Sequence, residues 1–166
     1  EEIKKYSKDF HEEIHASAIG QEAMREETFT AKMGEILDDN GETEDIHILS
    51  PNYKHTGLKV DGYSYNDVLN DFTMVISHYT DKLDPYETRV TNTDIKKEMN
   101  RVTNFFEKSL NGTLYNNIEQ SHEAHDLSKL IYEVRDEVDD VKFILIENMA
   151  NDEAQRIKQS CDILVD

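Results

Sequence analysis

The chain has 166 residues, of which Lys and Arg number 18 and Asp and Glu 36, for a formal net charge of −18. A chain of this length buries a proper core without staples, and so acidic a surface repels phosphate, so a broad basic face gripping nucleic acid is not expected. The single cysteine, Cys161, excludes an internal disulfide framework and a Cys-based zinc site, and no stretch approaches the ~18 apolar residues of a membrane span.

Ile3, Tyr6, Phe10 and Ile14 recur at spacings of three and four, which predicts a helix over 3–18 that Gly20 interrupts. A second helix is expected over 21–39, with Met24, Phe29, Met33, Ile36 and Leu37 inward and Asn40-Gly41 as its stop. The period then changes. Ile46 and Ile48 followed by Ser50-Pro51-Asn52 read as a short strand and a bend. Leu58, Val60, Tyr63 and Tyr65 alternate around Gly62, and Phe72 to Tyr79 reads as a strong strand, so the two make an antiparallel hairpin.

Residues 81–90 read as a polar loop. Thr93 is expected to cap a helix running to about Asn111, with Ile95, Met99, Val102, Phe105, Phe106 and Leu110 inward and Gly112 closing it. A connector leads to a further helix from about 122, whose inward face is Ala124, Leu127, Ile131, Val134 and Val138. Val141 to Ile146 reads as a buried strand, parallel to an earlier one because helices intervene. A last helix around 152–160 and a strand at 163–165 complete the pattern. The order predicts one α/β (α+β) domain over 1–166, its mixed central sheet containing the antiparallel hairpin and flanked by helices. The missing initiator Met and the apolar ending Ile163-Leu164-Val165 lead to the expectation that this is a piece of a longer protein. The start Glu1-Glu2-Ile3-Lys4-Lys5 is no signal peptide, and with one thiol it points to a cytoplasmic location.

Val60-Asp61-Gly62 is the most pointed local feature. A carboxylate on one strand, with an acid and a Lys on the next, is the geometry that gathers Mg²⁺ and an attacking water at a phosphodiester. The next strand here offers Ser77 and Tyr79 on one face, neither with that chemistry, and His78 on the other. The plain alternative for Asp61-Gly62 is turn chemistry. His11-Glu12-Glu13-Ile14-His15 fits the HExxH zinc pattern by letter, without a third ligand in view. His122 and His125 are better explained by helix capping. No Gly-rich phosphate loop and no GxSxG elbow is present. Lys96, Lys97, Arg101 and Lys108 are interleaved with Asp94, Glu98 and Glu107, which favours a solvated helix face.

Gly57-Leu58-Lys59-Val60-Asp61-Gly62-Tyr63, Phe72-Thr73-Met74-Val75-Ile76-Ser77, the helix from Thr91-Asn92-Thr93-Asp94-Ile95 through Asn104-Phe105-Phe106, and Val141-Lys142-Phe143-Ile144-Leu145-Ile146 follow in this order. Together they resemble the N-terminal region of the AIPR proteins, the abortive-infection phage-resistance family of bacteria. The early helix with Glu27-Thr28-Phe29 and Leu37 is similar too.

The resemblance implies a restriction-endonuclease-like core of the PD-(D/E)xK kind. Asp61 then matches the first acid, while Ser77 and Tyr79 stand where the acid or Gln and the Lys belong. Glu27 or Glu22 takes the part of an upstream helical glutamate, and Asp61 with Glu27 is the expected ligand pair for Mg²⁺. The expected partner is a C-terminal region of the same protein. Two readings stay open: a degenerate, non-catalytic scaffold or sensor in phage defence, and a divergent Mg²⁺-dependent nuclease acting on DNA or RNA. A zinc peptidase built on His11 and His15 is the unrelated third.

Overall fold

Alternation in the strands and helical periodicity sort the apolar residues onto the two faces of one sheet. The structure, a computed structural model, describes residues 22–80, 89–148, 150–151 and 158–164, together with Glu2, Lys5, Tyr6, Lys8, Asp9, Phe10 and Glu12, which are helical. The rest of the expected 3–18 helix, and with it His11 and His15, lies outside the described residues, as does the 81–88 loop.

Helix α1 (Glu22–Asp39) leads into β1 (His47–His55), β2 (Leu58–Asn66) and β3 (Asp71–His78), an antiparallel meander. After a two-residue strand β4 (Arg89–Val90) come α2 (Asn92–Leu110), a 3₁₀ turn (Tyr115–Asn117) and α3 (Glu123–Glu133). Strand β5 (Asp140–Glu147) returns parallel to β3, from Asp71 beside Asp140 to His78 beside Glu147. Strands β6 (Ala150–Asn151) and β7 (Lys158–Leu164) follow, β6 pairing with β4 and β7 antiparallel with β5. The main sheet runs β1-β2-β3-β5-β7 and is mixed, as the sequence predicts.

One face packs Val60, Phe72, Met74, Ile76, Phe143 and Leu145 against Val102, Phe105 and Phe106 of α2 and Leu127 and Ile131 of α3. The other packs Val75, Ile144 and Ile146 against Phe29, Met33 and Leu37 of α1. Each α1 residue in that trio follows the previous one by four, one stripe of the helix. At the ends of the parallel pair, the Asn148 amide donates to the Thr80 carbonyl and accepts from the Thr80 N–H, both at 2.9 Å.

Three expectations need correction. The cap of α2 is Thr91, not Thr93: its hydroxyl accepts from the Asp94 N–H, and the Asp94 carboxylate accepts from the Thr91 N–H at 3.0 Å. A capping box needs an acid three residues on, which Thr91 has and Thr93 lacks. Strand β1 does not stop at Ser50-Pro51-Asn52. It pairs with β2 on both sides of that segment, with a register shift between Ile48 and Tyr53. Residues 158–160 belong to β7 rather than to a helix, because pairing along β5 outweighs local preference; 152–157 lie outside the described residues.

Candidate functional site

The register shift in β1 builds the site. Ile48 pairs with Gly62 and Tyr53 with Val60, so Leu49, Ser50, Pro51 and Asn52 all lie opposite the single residue Asp61. A bulge of this kind re-aims side chains and needs no ladder N–H from its proline. Its Asn52 amide reaches Asp61 Oδ1 at 2.8 Å, and its Ser50 hydroxyl reaches Glu27 Oε1 at 2.5 Å. Gly62 has a packing reason as well: a Cβ there would lie 3.0 Å from the His47 carbonyl oxygen and 3.1 Å from Ile48. Val60-Asp61-Gly62 is therefore interior strand, not turn, and Asp61 is 2% exposed.

Lys59 precedes Asp61 by two, so both side chains lie on the α1 side of the sheet. The Lys59 ammonium is 2.6 Å from Glu26 Oε1, 2.5 Å from the Ser77 carbonyl oxygen and 3.5 Å from Asp61 Oδ2. Asp61 Oδ2 also accepts the Ser77 N–H at 2.8 Å. The Ser77 hydroxyl meets Thr30 Oγ1 at 2.6 Å, and Thr30 also donates to the Glu26 carbonyl. Glu26, Phe29, Thr30 and Met33 share one stripe of α1, which is why helix and strand ends converge here.

Burial pushes the Asp61 carboxyl above its ordinary value, against the pull of Lys59, the Ser77 N–H and Asn52. Burial alone would lower Lys59, but Asp61 and Glu26 outweigh it and hold the ammonium above the ordinary lysine value. The ionised lysine is thus favoured by its carboxylate neighbours, the arrangement in which a buried charge is tolerable.

The expected residues are distributed unevenly. Asp61 and Ser77 are in direct contact. Glu27 lines the same cavity as Asp61, together with Thr30, Ile48, Leu49, Pro51 and Asn52; its volume is about 40 Å³. Tyr79 instead packs its ring 5.4 Å from Phe29. The Glu22 side chain lies outside the described residues. His78 is on the opposite face, half-buried, with no hydrogen-bond partner for Nδ1 among the described residues and its pKa lowered by burial. His122 caps α3, its Nδ1 accepting from the Ala124 N–H at 3.0 Å. Sequence reasoning missed Lys59, Glu26, Thr30 and Asn52.

The donor set does not fit Mg²⁺ as it stands. Both Asp61 oxygens already accept hydrogen bonds, the Glu27 Oε1 is engaged by Ser50, and an ammonium stands between Asp61 and Glu26. Among the described residues no group of three or more His, Cys, Asp or Glu could hold a metal ion. The cavity admits a water or two, since one needs ~10–15 Å³, but not a phosphodiester backbone.

A mixed sheet with helices on both faces and a buried carboxylate–lysine cluster at the hairpin defines an α+β domain with its polar centre in the core. The family described as abortive infection phage resistance protein N-terminal domain matches residues 29–164. The chain belongs to that family. No curated protein and no solved structure matches it. No helix among the described residues is long and apolar enough to cross a membrane.

Proposed function

We propose that this chain is a non-catalytic domain of a bacterial phage-defence protein, with a nuclease-like core whose catalytic centre is degenerate. Asp61 is the surviving acid, Ser77 and Tyr79 replace the other two groups, and the domain serves as a cytoplasmic scaffold or sensor for the protein's C-terminal region. The observation that carries this reading is the state of Asp61. It is buried, both oxygens are hydrogen-bonded, and its neighbouring cation is a lysine. A phosphoryl-transfer centre needs an accessible cation and room for an attacking water. The charge of −18 further opposes a nucleic-acid backbone.

One observation favours a divergent Mg²⁺-dependent nuclease instead. Glu26, Lys59 and Asp61 together supply two carboxylates and an ammonium, the types of group missing from Ser77 and Tyr79. Incubation of the wild type and Asp61→Asn with single- and double-stranded DNA and RNA, in Mg²⁺ and in Mn²⁺, decides between them. The non-catalytic reading expects no metal-dependent cleavage by either protein. Cleavage by the wild type that Asp61→Asn abolishes would establish the nuclease.

A further inference from the structure

A hard divalent cation in a protein takes oxygen ligands, and one or two carboxylates with carbonyls and waters suffice for Mg²⁺ or Mn²⁺. Three such oxygens surround one point here: Glu26 Oε1, Asp61 Oδ2 and the Ser77 carbonyl. They come from α1, β2 and β3, so the tertiary fold and not a local motif gathers them. The point is taken by the Lys59 Nζ, delivered by a side chain whose residue is 4% exposed and whose stem runs from the same strand as Asp61. A lysine head between two carboxylates and a carbonyl carries one positive charge where a divalent ion would carry two.

The geometry points to Lys59 as a tethered cation that occupies the cation position of this cluster, so that the wild-type domain excludes divalent metal while Lys59→Ala opens a divalent-cation site bounded by Glu26, Asp61 and the Ser77 carbonyl. The inference deepens the non-catalytic reading and rests on it: the lysine offsets one of the two carboxylate charges and holds the shape of the cluster without a metal. It also gives Asp61 a structural role that needs no catalysis. The carboxylate holds the lysine, and the lysine holds β2 to the helix and to the end of β3.

The Lys59→Ala change removes the ammonium and leaves two carboxylates facing a void. Coulomb repulsion between them is relieved by a metal of the same coordination preference. Mn²⁺ is the probe, followed by the loss of its free electron-paramagnetic-resonance signal on titration with protein, and by the thermal midpoint of each variant with and without the ion. The inference expects no Mn²⁺ bound at this cluster in the wild type, so that whatever the wild type binds at millimolar metal is unchanged in Asp61→Asn. It expects about one equivalent bound by Lys59→Ala, with a raised midpoint, and loss of both in Lys59→Ala/Asp61→Asn. Two outcomes would overturn it: Mn²⁺ bound by the wild type and lost in Asp61→Asn, or a folded Lys59→Ala that binds none. The wild-type measurement keeps the inference falsifiable if Lys59→Ala does not fold. Failure of the non-catalytic reading registers separately, as nucleic-acid cleavage; wild-type Mn²⁺ binding that Asp61→Asn removes, without cleavage, defeats the tethered cation alone.

Discussion

The Lys59 ammonium lies 2.5 Å from the Ser77 carbonyl oxygen, joining the side chain of β2 to the backbone at the end of β3. Ser77 returns the contact through its N–H to Asp61, so the two strands are tied by a side-chain bridge just beyond their ladder, whose last pair is Gly62 with Val75. Glu26 extends the bridge to α1. A core cluster of this kind is costly to break from one side, because the partner left behind is a buried charge.

Lys59→Met keeps the apolar stem and removes the charge. It leaves Asp61 and Glu26 without their cation and should cost about 3–5 kcal/mol of unfolding free energy, the range for removing one partner of a buried pair. Glu26→Gln leaves Lys59 with Asp61 and the Ser77 carbonyl, and should cost less, about 1–2 kcal/mol. Urea denaturation of the three proteins checks both the values and their order.

Thr30 and Ser77 share a buried hydroxyl–hydroxyl bond of 2.6 Å. Thr30→Val strands the Ser77 hydroxyl and should cost about 1–3 kcal/mol. Thr30→Val/Ser77→Ala should cost less than the sum of the single changes, because neither hydroxyl is then left alone. A double-mutant cycle by chemical denaturation reads the coupling; strict additivity would show that the contact carries no energy.

Gly57 and Gly112 both have left-handed backbones, φ +74° and +75°, but different surroundings. A Cβ at Gly57 meets nothing within 4 Å, whereas one at Gly112 would lie 2.4 Å from the Tyr132 ring. Gly57→Ala should therefore cost only the backbone strain, about 1–2 kcal/mol. Gly112→Ala should cost a further 1–3 kcal/mol, roughly, for displacing the ring between the end of α2 and α3. Thermal midpoints of the two variants give the comparison, and equal losses would contradict it.

His78 provides the pH dependence. Burial lowers its pKa below 6.5, with Glu98 pulling the other way, Lys59 adding to the lowering, and Asp94 and Glu26 opposing it. The unfolded chain therefore takes up the proton first as pH falls. Stability from the neutral ring is complete above 6.5 and is lost as pH drops through that value toward the lower folded pKa. The thermal midpoint should decline on acidification through this window, and His78→Gln should decline less. An identical slope in the two proteins would remove His78 from the account.

The strands and helices were largely legible because their apolar residues keep strict period: Phe72, Met74 and Ile76 on one face of β3, and Phe29, Met33 and Leu37 on one face of α1. Asp61 and Ser77 were legible as strand neighbours from alternation and spacing. Lys59 carried a signal that spacing arguments passed over, a lone cation between Leu58 and Val60 in an apolar strand and in phase with Asp61. Glu26 could be told from Glu27 only by helix phase, since it precedes Phe29 by three and Thr30 by four. Asn52 was not legible. It reaches Asp61 through a four-residue bulge whose register depends on pairing with β2, and no local pattern around Ser50-Pro51 encodes that.

The most direct test follows the Lys59 side-chain nitrogen by ¹H–¹⁵N NMR, assigned with Lys59→Met, across pH and through a Mg²⁺ titration. The Lys59 pKa is raised, so the stability it contributes is complete below 10.5 and fades only as pH rises through the higher folded value. The expected result is a protected ammonium signal that titrates above 10.5 and is unmoved by millimolar Mg²⁺. An ammonium that titrates below the ordinary lysine value, or that Mg²⁺ displaces from its carboxylates, would contradict it.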